Sequence, residues 1–220
     1  MTDTANSDLL EAWQALIQAH TSVDARDTGR ALLASWTEPD RRYHTTDHLR
    51  DVLSRVDELA SYATDPDAVR LAAWYHDAVY RGAPDDEERS ARRAGAELTA
   101  LGVAPALVAE VARLVRLTAA HDPAAGDRNG ETLSDADLAI LAVEPERYRR
   151  NTAAVRAEYA HVPEDAFRFG RARIIRALLA APAVYRTPLG RHRWEQRARA
   201  NLAAELRDLT PGGMHEPPYP

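Results

Sequence analysis

Residues 65–80 read DPDAVRLAAWYHDAVY. Asp65 and Pro66 have the form of a helix start, with proline at the first helical position, where its missing N–H is harmless. Val69, Ala72, Ala73, then Tyr75 or His76, and Val79 follow at helical spacing, so the segment reads as a buried helix. At its end stand His76 and Asp77, two side chains an apolar stripe has no use for. Burying one lone polar group costs about 1–3 kcal/mol, and burying a charge costs more. A bound cation would compensate both. The dipeptide alone says little, because His121-Asp122 repeats it.

Working outward, the chain reads as a series of helices. Leu9, Trp13, Leu16 and Ile17 recur at helical spacing after Ser7, the expected N-cap. A second helix is expected over 24–36, and Leu49, Val52, Leu53, Val56 and Leu59 form the stripe of a third. Further helices are predicted over 86–101, 105–121, 134–143, 145–161, 163–181 and 192–209, with Gly102 as a C-terminal cap. Sustained period-two alternation is absent, and 121–132 is the one long internal loop expected. The expected fold class is all-α: a single domain over 1–220, ordered from about 7 to 209, with frayed residues 1–6 and a tail over 210–220.

Composition narrows the chemistry. A chain of 220 residues with 45% hydrophobic and 28% charged residues has the make-up of a soluble globular protein. Without cysteine there are no disulfides, thiolate metal sites or cysteine nucleophiles. The sequence contains no lysine, which excludes a Schiff base and a P-loop lysine and leaves arginine to hold any phosphate. A formal net charge of -6 argues against a nucleic-acid polymer as partner but not against a small phosphorylated ligand. No apolar stretch reaches membrane-spanning length and MTDTANSD lacks a signal pattern, so a cytoplasmic location without membrane attachment is expected.

Other ligand types occur at matching points of neighbouring helices. His48 begins HLRDVL, and Asp137 lies in LSDADLAIL, read as the first turn of a later helix. His76 and Asp77 point about 100° apart on a helix, so one ion touches both only by sitting between them. His48, His76, Asp77 and Asp137 make an N/O set suited to Mn, Fe, Co, Ni or Zn more than to Ca. Asp135, two residues away, competes with Asp137 as an alternative ligand, N-cap or supporting group. His44 reads equally as a supporting group, a second-ion ligand, a substrate contact or a plain loop histidine. His121, after LVRLTAA, either answers a helix C-terminal dipole or joins the site. There it would assist a leaving group or hold phosphate if protonated, and ligate a second metal if neutral. Trp74-Tyr75 reads as packing.

The order His48, His76-Asp77, Asp137, with RRYHTTDHL, YHDAVY, DDEERSA, LTAAHD, LSDADLAIL, VRAEY, FGR and ARANLAAEL, resembles the HD superfamily of metal-dependent phosphohydrolases. Over about 13–206 the chain is similar to its branch of predicted HD phosphohydrolases. The resemblance implies an HD-domain-like helical bundle with additional C-terminal helices. It also implies one or two divalent ions, Mg among the candidates, and hydrolysis of phosphate esters, often of nucleotides. It carries His48, His76, Asp77 and Asp137 over as ligands, and Glu87 with Asp77 as the groups that orient or deprotonate water. Ser90 would cap or line the site, Asp86 stands where the branch has Asn, and Asn151 stands where an aromatic residue is expected. Arg156 and Arg171 gain weight as substrate contacts, against the ordinary reading of solvated or paired arginines. Glu195, Arg199 and Asn201 would tie the last helix to the core.

The expectation is a divalent-metal phosphohydrolase, phosphatase or phosphodiesterase, acting on a small phosphorylated metabolite such as a nucleotide, with a homodimer allowed. Two alternatives stand beside it: a di-iron oxygenase on the same scaffold, and a non-catalytic nucleotide-sensing module with a structural metal.

Overall fold

A computed structural model describes residues 2–210, with side chains from residue 6 onward. The described residues are all-α, with eleven α-helices, one short 3-10 turn and no strand. The expected tail lies outside them apart from Thr210. None of the described helices is long and apolar enough to cross a membrane. The described residues form two compact units, one up to Leu138 and one from Ala139 on.

In the first unit α1 covers Thr2–Gln18, α2 Arg26–Trp36, α3 Thr46–Leu59 and α4 Pro66–Tyr75. Helices α5 Asp86–Ala100, α6 Pro105–Leu117 and α7 Arg128–Leu138 complete it. Helix α1 reaches back to Thr2, so residues 2–6 are helical and Ser7 lies inside the helix rather than at its cap. The Asp65 side chain accepts the Ala68 N–H and starts α4 with Pro66 in its first turn. Seven residues of α4 are buried: Ala68, Val69 and the run 71–75. A helix buried nearly all round belongs at the centre, and α4 packs against α1, α3, α5, α6 and α7. Trp74 and Tyr75 are core residues, as expected, with the Trp13 ring edge-on to both at 5.4 and 6.1 Å.

Helix α5 ends as its glycine foretells. Gly102 has φ +74, its N–H donates to Thr99, and that of Val103 donates to Leu98. This left-handed cap satisfies carbonyls that the helix end would leave open.

Gly29 on α2 has a different duty. A Cβ there would stand 2.4 Å from Cδ1 of Trp13 and 2.9 Å from Cδ1 of Leu10. Trp13 cannot easily yield, being fully buried with Nε1 donating 2.9 Å to the Ala25 carbonyl. In an exposed helix Gly→Ala gains about 1 kcal/mol. Here Gly29→Ala is expected to cost about 1–3 kcal/mol through overpacking, which a thermal melt would register as a lowered Tm.

The loop expected over 121–132 is shorter in the structure, because α7 begins at Arg128. Its first turns carry no apolar stripe to read: Asn129, Gly130, Glu131 and Thr132 are buried without one. Polar bonds substitute for apolar packing. Asn129 Oδ1 accepts from the N–H groups of Thr64 and Asp65 and from the Thr64 hydroxyl, while its Nδ2 donates to Glu110. Asp127 accepts the Gly130 N–H at 3.0 Å and is held by Arg113. Asp137 consequently sits in the last turn of α7, not in a first turn.

In the second unit a 3-10 turn at Ala139–Ala142 precedes α8 Pro145–Glu158, α9 Glu164–Ala180, α10 Pro188–Arg193 and α11 Glu195–Leu209. The helix expected over 192–209 therefore starts at Glu195, after a separate short helix capped by Thr187. Helix α11 packs on α9, α10 and the 3-10 turn. Glu195 accepts from the N–H groups of Val184 and Tyr185, Arg199 donates to the Leu179 and Ala181 carbonyls, and Asn201 donates to those of Leu141 and Val143. These residues tie α11 down as expected.

Candidate metal centre

Helix ends bring four side chains of the first unit together. His48 stands in the first turn of α3, behind the Thr45 cap. His76 is the C-cap of α4, and Asp77 follows it. Asp137 ends α7. Asp77 follows the end of α4, and its Oδ2 lies 3.0 Å from His76 Nε2 and 3.8 Å from His48 Nε2. Asp137 Oδ1 lies 3.1 Å from His48 Nε2 and 3.7 Å from His76 Nε2. The two imidazole nitrogens are 3.3 Å apart. Both histidines are buried.

These spacings can be tested against an ion. Adjacent ligand atoms bound at about 2.0–2.2 Å stand about 3.0 Å apart in an octahedral shell and about 3.4 Å apart in a tetrahedral one. The observed 3.0 to 3.8 Å separations fit with little movement. Tautomers fit as well. His76 Nδ1 lies 2.9 Å from the Ala73 carbonyl, which can only accept, so the neutral ring keeps the Nε2 lone pair facing the cluster. His48, His76 and Asp137 could hold a metal ion, and Asp77 stands within reach of both imidazoles. Two helix C-termini end here, and their dipoles favour a cation.

The electrostatics of the group agree. Burial alone would lower the His76 pKa, but the Asp77 and Asp137 carboxylates outweigh it and raise it to about 9. Burial would raise the pKa of Asp77, yet His76, His44 and His48 hold it far below the usual carboxylate range. Asp137 is lowered in the same way by His76 and His48. Two buried carboxylates at this spacing favour a positive charge between them.

His121 adds a fifth contact. Its Nε2 lies 3.4 Å from the other oxygen of Asp137, and its Nδ1 3.5 Å from Ser134 Oγ. Burial lowers its pKa despite Asp137, which favours the neutral form. Its φ of +49 makes it the one non-glycine residue with positive φ among the described residues. Glu87, in the first turn of α5, acts electrostatically on His121. His44 stacks on Tyr80 at 4.0 Å between ring centres and lies 5.7 Å from the His48 ring.

The remaining candidates have partners of their own. Asp135 is fully buried and acts on Tyr62, while Asp137 meets His48, His76 and His121. Ser90 binds both the N–H and the carbonyl of Val79, fixing the turn after Asp77 rather than reaching the cluster. Arg156 and Arg171 belong to the second unit. Arg156 donates to Glu164 and to the Tyr159 and Val162 carbonyls, and Arg171 pairs with Glu205 beside Tyr148. Each thus has structural employment where it stands.

Two neighbours of the site carry little sequence signal. Trp36 is fully buried, donates Nε1 to the Trp74 carbonyl, and lies with its ring 5.3 Å from that of His76. Arg41 is buried beside it. Only Arg41's place in RRYHTTDHL hinted at the site. No protein-family model, curated protein or solved structure matches the chain.

Proposed function

We propose that the chain is a divalent-metal-dependent phosphohydrolase of the HD type, acting on a small phosphorylated metabolite such as a nucleotide. The reading is carried by the convergence of His48, His76, Asp77 and Asp137 at ligand-like spacing. A bound divalent ion supplies Lewis acidity toward a phosphoryl oxygen and makes water acidic enough to ionise near neutral pH. The chain supplies the rest. Asp77 and Asp137 balance the cation, and the Trp36 ring shields His76 from water on one side. Glu87 is assigned to take the proton of the attacking water. The water oxygen bonds to phosphorus as the ester P–O bond breaks, and the departing oxygen takes a proton from solvent. Neutral at neutral pH, His121 orients the water or Asp137 in the resting site.

One observation favours a second reading. Asp137 offers Oδ1 to His48 and His76 and Oδ2 to His121, as a carboxylate shared by two ions would. Two irons per chain with consumption of dioxygen would replace the hydrolase by an oxygenase.

Elemental analysis of the purified protein, coupled to a phosphate-release screen over nucleotides and sugar phosphates, separates these readings. Release is expected to depend on a divalent ion and to fall at least about a hundredfold in Asp77→Ala and His48→Ala. Unchanged release in both variants would sink the assignment.

A further inference from the structure

Arg41 lies in the segment before α3, and its side chain is almost wholly removed from solvent at 2% exposure. An arginine cannot shed its charge, so its burial asks for a purpose. Its Nη1 donates to two carbonyls, that of His44 at 3.1 Å and that of Asp77 at 2.8 Å. These bonds join a stretch ahead of His48 to the residue after His76, two segments far apart in sequence. The guanidinium also lies 5.5 Å from the Trp36 ring centre and 5.6 Å from that of Tyr80, and its Nε is 3.5 Å from Glu38. Flat faces and a fixed fork suit arginine here and not lysine.

The carbonyl it holds belongs to a proposed ligand. Asp77 stands past the end of α4, so helical geometry does not fix its backbone. We propose that Arg41 is a positioning residue that sets Asp77, and with it the span from His44 to His48, at the spacing the metal requires. It acts through main-chain carbonyls and touches neither ion nor substrate. The proposal rests on the metal reading above. It goes beyond that reading by naming what holds the two halves of the ligand set in register.

Cobalt(II) titration of the full chain, followed by the visible absorption of the bound ion, tests it without any substrate. Arg41→Gln and Arg41→Lys are each expected to bind cobalt about 10–100-fold more weakly, the usual loss when an outer support of a ligand goes. Their absorption bands should also differ from the wild type. A purely structural role would lower Tm and leave cobalt affinity and band shape unchanged, and that result overturns the proposal while the metal site stands. A wild-type protein that binds no cobalt overturns both. Should neither variant fold, the wild type still decides by NMR. Arg41 guanidinium protons that exchange slowly and shift on zinc addition support the role, and fast exchange with no shift refutes it.

Discussion

Replacing Asp137 by asparagine is expected to abolish most divalent-metal binding, with a loss exceeding the roughly 10–100-fold that an outer-shell change costs. Asp137 is the hub of the cluster: one oxygen faces His48 and His76, the other His121. Asparagine keeps the shape and removes the charge. The metal-free protein should suffer too, because His76 loses one of the two carboxylates that keep it protonated. Breaking a buried pair by removing one partner costs about 3–5 kcal/mol. Asp135→Asn is the matching control. Asp135 is more deeply buried and acts on Tyr62; with Asp137 as the ligand, loss of Asp135 should lower Tm and leave metal affinity near the wild-type value. Calorimetric titration of both variants checks the pair. Equal effects on metal affinity would show that the ligand had been misassigned.

The second large effect concerns pH. A histidine whose pKa is raised by folding stabilises the protein fully below its unfolded value and ceases to do so as pH rises through its folded value. For His76 those limits are 6.5 and about 9. The metal-free protein is therefore expected to lose on the order of 3 kcal/mol across that window, or roughly 6–12 °C in Tm for a chain of this length. Asp77 and Asp137, whose pKa values are lowered, contribute above the ordinary carboxylate range and lose their contribution only in acid. His121 is lowered as well, so its part falls away below 6.5, outside the window. Metal binding should run the other way. The ion and the proton compete for Nε2 of His76, so affinity rises with pH over the same interval. Thermal melts between pH 6 and 9.5, with chelator and with metal, measure both trends. A chelated protein whose Tm stays flat from 6.5 to 9 would contradict a protonated His76 between two carboxylates.

The sequence made the site more legible than the fold around it. His48, His76, Asp77 and Asp137 were readable because each interrupts or abuts an apolar stripe, and the stripes of α3 and α4 are clear. The start of α7 was not readable, because its buried face is Asn129, Glu131 and Thr132, held by hydrogen bonds instead of apolar contact. Periodicity of hydrophobic residues has nothing to report there. With α7 starting at Arg128, Asp137 falls in its last turn and not in a first one. Arg41 and Trp36 carry little sequence signal for another reason. Their importance lies in contacts to Asp77 and Trp74, some forty residues downstream, which spacing along one helix cannot show.

The backbone of His121 bears on how this protein could be improved. A non-glycine residue in the left-handed region carries about 1–2 kcal/mol of strain, and His121 is held there beside Asp137. Glycine would relax the strain and raise the melting point, while leaving Asp137 without its imidazole neighbour. A screen that rewards heat resistance alone would thus be drawn to position 121, and its most robust survivors would be missing part of the site.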